Sequence, residues 1–205
     1  LLIDDNVRGE DCFIIQPTSR SICDENDVPY CGSVNDNLME LFILTDAIKR
    51  GSAKSVNLVI PYFGYQRQDR KDYSRAPISA AVVARFIETL NVNRVMMFDL
   101  HAGQIAGFFS NNCPVDNLYA ETYFIKYIKK HELDNLVFVA PDAGAMKTNY
   151  RVAQKFGVPT CSIFKNRTNG IIDHMMLIGD VEGQNVIMID DMIDTGGTIC
   201  KAANL

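Results

Sequence analysis

Two familiar phosphate-binding glycine loops are missing from this sequence: there is no Gly-Lys-Ser/Thr ending of a P-loop and no G-x-G-x-x-G spacing. A phosphate ligand would have to be held by other means. There is no C-x-x-C pair, and the cysteines at 12, 23, 31, 113, 161 and 200 have no nearby histidine to complete a zinc set. Free thiols in a reducing compartment are expected, since a Cys23–Cys31 bridge would need an oxidising context that nothing else suggests. No apolar run is long enough to span a bilayer, so no membrane partner is expected. Positive charge is scarce: a net charge of -5 argues against nucleic acid or an anionic membrane as a partner and leaves room only for local basic clusters. A methionine start is also lacking, because the chain opens Leu1-Leu2-Ile3, and this predicts that its true beginning lies upstream.

What is present is ordinary for a globular protein with one or two cores: 205 residues, 47% hydrophobic and 22% charged. Strand-like runs recur at 12–16, 56–61, 94–99, 136–140, 158–164 and 185–190. Helical periodicity lies between most of them. Residues 36–50 place Leu38, Leu41, Phe42, Thr45 and Ile48 at helical spacing with Asp36 or Asn35 as cap, and Pro77 opens a second helix. Segments 120–131 and 145–156 continue the alternation, the latter ended by Gly157. Such an order predicts an α/β fold with parallel sheets flanked by helices. The polar stretch 110–119 suggests a boundary, giving domains at 1–117 and 118–205, and loop 17–34 should be exposed and mobile. The last helix starts at Thr198 and stops at Leu205, which predicts a fragment of a longer protein, truncated at both ends.

The stretch VIMIDDMIDTGGT at 186–198 concentrates the chemistry. Val186 to Ile189 read as a short strand buried on both faces, which puts Asp190, Asp191 and Asp194 at its carboxyl end, where open α/β sheets bind ligands. Thr195, Gly196, Gly197 and Thr198 then offer hydroxyls and amides to an anion. A carboxylate about 6 Å from a phosphate charge is repelled by roughly 3 kcal/mol at an effective dielectric near 20, so the acids need hydroxyl donors or a cation instead. A sugar phosphate supplies both ends, and the segment is expected to take a phosphorylated ribose. The competing reading is an acidic turn that merely caps a helix.

Other strand ends carry polar chemistry too. After the second, Arg67, Arg70, Lys71 and Arg75 lie among aromatics, a pattern suited to a purine and its phosphates or to a solvated basic loop. Asp99-Leu100-His101 follows the third, and His101 is open to a structural, basic or metal-binding role. In Pro141-Asp142-Ala143-Gly144-Ala145, Asp142 suits Mg²⁺ and the turn can offer amides to a diphosphate. Lys165 and Arg167 sit in what reads as a flexible loop, where two cations would stabilise charge on a transferred phosphoryl group; a plain surface hairpin is the alternative.

Taken together, NVRGED at 6–11, NDNLMEL at 35–41, PYFGYQRQDRK at 61–71, SRAPISA at 74–80, DLHAGQIAGFF at 99–109, VDNLYAE at 115–121, PDAGA at 141–145 and IDDMIDTGGTICKAA at 189–203 strongly resemble ribose-phosphate pyrophosphokinase. The resemblance covers nearly the whole chain. It implies two phosphoribosyltransferase-like domains and transfer of the diphosphoryl group of ATP to the anomeric hydroxyl of ribose 5-phosphate, releasing AMP. By motif it assigns ribose 5-phosphate to Asp190, Asp191, Asp194 and Thr195 to Thr198, and ATP to Arg67, Gln68, Asp72 and His101. It makes Asp142, Ala143, Gly144 and Ala145 the diphosphate loop, His101 and Asp142 the ligands of Mg²⁺, and Lys165 and Arg167 the catalytic pair. Arg8 matches a phosphate contact of an allosteric site.

The resemblance further implies a cytoplasmic homo-oligomer built from dimers, with a hexamer among the candidates. Three departures stand out: loop 17–34 is long, Ala145 replaces a second glycine, and the family's amino-terminal segment and much of its carboxyl-terminal domain are absent from the sequence. Alternatives within reach of the same fold are a non-catalytic synthetase-associated regulatory subunit, which lacks the D-L-H motif and loop cations, and a phosphoribosyltransferase, which needs no ATP site.

Overall fold

The computed structural model describes residues 2–20, 32–168 and 171–205, with side chains described outside 166–174. The chain divides into two compact units, Leu1–Tyr119 and Ala120–Leu205.

The first unit is a parallel sheet of β1 (Asp11–Ile15), β2 (Ser55–Ile60), β3 (Arg94–Phe98) and β4 (Val115–Leu118), in that spatial order. Helices α1 (Val34–Arg50) and α2 (Ser79–Thr89) cross between the strands, and a short 3-10 helix, Gly103–Phe108, precedes β4. Alternation along β2 sends Val56, Leu58 and Ile60 into one core with Val95 and Met97 of β3, against Leu41 of α1 and Ile87 of α2. Complete burial of each such Leu or Ile contributes roughly 1.5–3 kcal/mol. The opposite face is barer than a two-sided parallel sheet, with Phe13 60% and Ile15 68% exposed.

Some expected boundaries move. The cap of α1 is Ser33, not Asn35 or Asp36: the Ser33 side chain accepts from the Asp36 amide, and the Asp36 carboxylate accepts from the Ser33 amide at 2.8 Å. Asp36 is thus the second half of a capping box. Pro77 lies ahead of α2 instead of opening it, since that helix begins at Ser79 after Ile78. Strand β4 falls where a polar boundary was expected, because only Val115 and Leu118 of its residues are apolar.

In the second unit the order is β7-β6-β5-β8, with β5 (Leu136–Ala140), β6 (Thr160–Thr168), β7 (Ile171–Ile178) and β8 (Asn185–Ile187). Strand β5 is central and buried throughout. Leu136 and Phe138 face Ile128 of α3 (Glu121–Lys130) and Val152 of α4 (Met146–Gln154), while Val137 and Val139 face Ala202 of α5 (Gly197–Ala203). Strand β8 is not the doubly buried strand expected from Val186 to Ile189: among the described residues it pairs with β5 alone, at the sheet edge, and Val186 is 42% exposed. The segment expected as a flexible loop is instead an antiparallel hairpin, β6 against β7, with a register shift at Asn166/Arg167. Its apolar second strand, Ile171–Ile178, is what extends the pairing.

Candidate functional site

Each unit gathers its polar loops at the carboxyl ends of its strands. In the first, loop 61–78 after β2 is anchored from below by Thr18. This wholly buried hydroxyl donates to Tyr62 O and accepts from the Gly64 amide, both at 2.7 Å. Gly64 is required there, because a Cβ would lie 2.8 Å from a Val34 methyl and 3.1 Å from Thr18 O. Gln66, only 1% exposed, turns inward, and its Oε1 accepts the His101 amide at 3.0 Å. Alongside it, Gln104 Nε2 donates to Asp69 at 2.6 Å. These two bonds lock the loop after β2 to the loop after β3, so the structure brings the Arg67–Gln68 segment and His101 together. Arg67, Gln68, Asp72 and His101 are all exposed. Asp72 pairs with Arg70 Nε at 3.0 Å, a solvent-facing contact of little energetic weight. Arg8 lies elsewhere: it precedes β1 at the amino-terminal edge of the parallel sheet, the opposite edge from these loops.

In the second unit three strand ends converge. The turn after β5 is closed by Asp142, whose Oδ1 accepts the Ala145 amide at 3.1 Å. Ala145 has φ -78 and ψ -11, an ordinary helical conformation, so alanine fits there without strain. From β6, Lys165 reaches the other oxygen of Asp142, Nζ to Oδ2 3.4 Å, with its own side chain 5% exposed. Lys165 therefore stands on a strand with its ammonium turned inward, not on an open loop. The backbone of Arg167 belongs to the same strand, and its side chain lies outside the described residues. Cys23 and Cys31 also lie outside them, while Cys12, Cys113, Cys161 and Cys200 are free thiols.

Asp190 follows the end of β8. Burial, the Asp191 side chain, and the negative charges of Asp142 and Asp191 together push its carboxyl up to about 6. Asp142 and Asp191 thus both act on Asp190, while Lys165 lies against Asp142. A guest bringing hydroxyl donors or a cation would relieve that repulsion. Beyond the acids, Gly196 takes φ +73, a left-handed turn suited to glycine, and α5 begins at Gly197, one residue before the expected start. Among the described residues no group of three or more His, Cys, Asp or Glu is arranged to hold a metal ion. The oxygen ligands of Asp142 and its neighbours suit Mg²⁺ that keeps waters and arrives with substrate phosphates, better than a preformed cage.

Sequence reasoning did not find Thr18, Gln66 and Asn149. All are buried polar residues, and their signal is only a polar side chain beside a motif; which backbone group each would meet depends on the fold.

Comparison with known proteins agrees with this arrangement. Residues 1–90 match the family model for the N-terminal domain of ribose phosphate pyrophosphokinase, and residues 115–205 match the phosphoribosyl transferase domain. The chain is 47% identical over 204 residues to the ribose-phosphate pyrophosphokinase of Helicobacter hepaticus, covering 99% of this chain and 62% of that protein. Ribose-phosphate pyrophosphokinase A of Dictyostelium discoideum is 46% identical over 206 residues, covering 100% of this chain and 61% of that protein. The crystal structure of phosphoribosylpyrophosphate synthetase from Mycobacterium smegmatis superposes with a TM-score of 0.82 at 39% identity, over 100% of this chain and 62% of that one. The sequence thus spans about three-fifths of the length of these relatives. With both units matched, in order and with the motif loops at their strand ends, the chain belongs to the ribose-phosphate pyrophosphokinase family.

Proposed function

We propose that the protein to which this chain belongs transfers the diphosphoryl group of ATP to ribose 5-phosphate. The observation that carries the reading is the second unit's cluster of Asp142, Asp190 and Asp191, with Lys165 turned towards Asp142. The carboxylates of Asp190, Asp191 and Asp194 accept the pentose hydroxyls, and the turn Thr195, Gly196, Gly197, Thr198 takes the 5-phosphate. Turn residues Asp142, Ala143, Gly144 and Ala145 face the diphosphate. Arg67, Gln68, Asp72 and His101, on the interlocked loops of the first unit, bind ATP. These roles assume the two phosphoribosyltransferase-like domains expected at 1–117 and 118–205.

The anomeric oxygen attacks the β-phosphorus of ATP, the bond from that phosphorus to the oxygen bridging to the α-phosphate breaks, and AMP leaves as the anomeric proton is lost. Lys165, with Arg167, stabilises negative charge on the transferred group. Bound Mg²⁺ would neutralise phosphate charge and orient the diphosphoryl group; Asp142 in the second unit and His101 in the first are each proposed as a residue that meets it. The low exposure of Lys165 keeps its ammonium out of bulk water and so strengthens its field. Arg8 is assigned to a separate regulatory phosphate contact, and the working form is a cytoplasmic homo-oligomer.

Release of AMP from Mg-ATP by the full-length protein tests the reading. AMP should form only when ribose 5-phosphate is present. ATP binding without AMP formation would favour a regulatory subunit, and failure to bind ATP would favour a phosphoribosyltransferase.

A further inference from the structure

One buried side chain in the second unit joins two of the loops described above without belonging to any recognised motif. Asn149, on the second turn of α4, has no solvent exposure. Its Nδ2 donates to Ala145 O at 2.9 Å and to Ile189 O at 2.6 Å, and its Oδ1 accepts the Ile189 amide at 3.0 Å. The β5–β8 ladder ends at the Phe138–Ile187 pair, so the backbone of Ile189, itself 7% exposed, lies beyond the strand that held it. The side-chain amide replaces that missing strand, meeting both the N–H and the C=O of one residue as a neighbouring strand would.

The consequence is geometric. Ile189 directly precedes Asp190, and Ala145 closes the turn that begins at Asp142. A single planar amide therefore fixes the acid-bearing end of β8 against the acid-bearing turn after β5. Few side chains could do this. Leucine has similar size but no polar atoms, and an ionised aspartate has no donor for the two carbonyls. Leaving the Ile189 groups unmet in a buried position would favour a shifted backbone that lets water in.

We propose that Asn149 is a positioning residue: it sets Asp190 and Asp191 relative to Asp142 and touches no substrate. The proposal rests on the reading of residues 190–198 as the sugar-phosphate loop. A purely structural asparagine would, when replaced, lower the folded fraction and hence apparent kcat, leaving both KM values alone. A positioning residue splits them.

In full-length Asn149→Leu, the KM for ribose 5-phosphate should rise about tenfold while that for ATP changes less than twofold, and amide exchange at 190–194 should quicken with the β6–β7 hairpin unchanged. Asn149→Ala, which removes the same bonds with no added bulk, serves if the leucine variant does not fold. Unchanged KM for both substrates together with unchanged exchange at 190–194 overturns the proposal. Exchange also separates the two claims. If the unsubstituted protein shows no saturation with ribose 5-phosphate, the sugar-phosphate reading fails, and faster or unaltered exchange at 190–194 in the variant still decides whether Asn149 positions the acids.

Discussion

The loops of the first unit are braced mostly by neutral side chains and keep most of their charges in solvent, whereas those of the second bring charges together. Gln66 and Thr18 bind backbone groups, and the charged groups Arg67, Arg70 and Asp72 stay in solvent. In the second unit Asp142 meets Lys165 on one side and acts on Asp190 on the other, and the backbone around them is restrained by the buried amide of Asn149. On the function proposed above, the difference separates two tasks. A site that grips a soluble, flexible anion can present exposed cations on a braced loop, whereas one that stabilises charge during transfer must hold its groups in a drier place, at some cost in stability.

The contrast is broken most sharply at Lys165. Lys165→Ala in the full-length protein should lower turnover at least about 100-fold, the scale of losing one preorganised electrostatic partner, with ATP affinity largely retained. Turnover within a few-fold of the parent would show that the inward ammonium is only structural. In the first unit, Gln66→Leu deprives the His101 amide of its acceptor, and a buried group left unmet costs roughly 1–3 kcal/mol. The KM for ATP should rise about tenfold in that variant, with ribose 5-phosphate affinity unaltered. An effect on both substrates alike would mean the bond serves the fold as a whole.

Asp190 sharpens the comparison by pH. Its folded carboxyl titrates near 6 against 3.8 for the ordinary group, so the protonated form is favoured on folding. The contribution to stability is therefore complete below about pH 4 and disappears as pH rises through 6. Without metal or substrate, Asp190→Asn should unfold later than the parent at pH 7.5, by about 1 kcal/mol once solvent screening of this half-exposed group is allowed for, and equally at pH 4. Equal thermal midpoints at both pH values would remove the crowding. The smallest effect belongs to the exposed Arg70–Asp72 pair, where Arg70→Ala should shift stability by less than about 0.5 kcal/mol in a thermal melt.

Period and punctuation in the sequence were enough to predict the parallel strands β1, β2, β3 and β5 and the helices between them, because their apolar spacing is strong. Strand β4 was illegible since Asp116 and Asn117 fill half of it, and the β6–β7 hairpin since a lysine, an asparagine and an arginine look like loop residues until an apolar partner strand is seen beside them. The acids at 190–194 and the turn at 142–145 were visible as residue types at strand ends. That Lys165 faces Asp142 was not, because the pairing joins strands whose neighbours are set by the fold. Gln66 and Asn149 were hidden for the same reason: a buried amide gains meaning only from the backbone it meets, and the backbone atoms in question lie 35 and 40 residues away.

Isothermal titration of ribose 5-phosphate into the full-length, magnesium-supplied protein tests the sugar-phosphate site most directly, with Asp191→Asn run beside the parent. The account predicts saturable binding by the parent and at least tenfold weaker binding by the variant, both folded to the same extent. Equal affinity in the two proteins, or no heat from the parent at millimolar ligand, would contradict it.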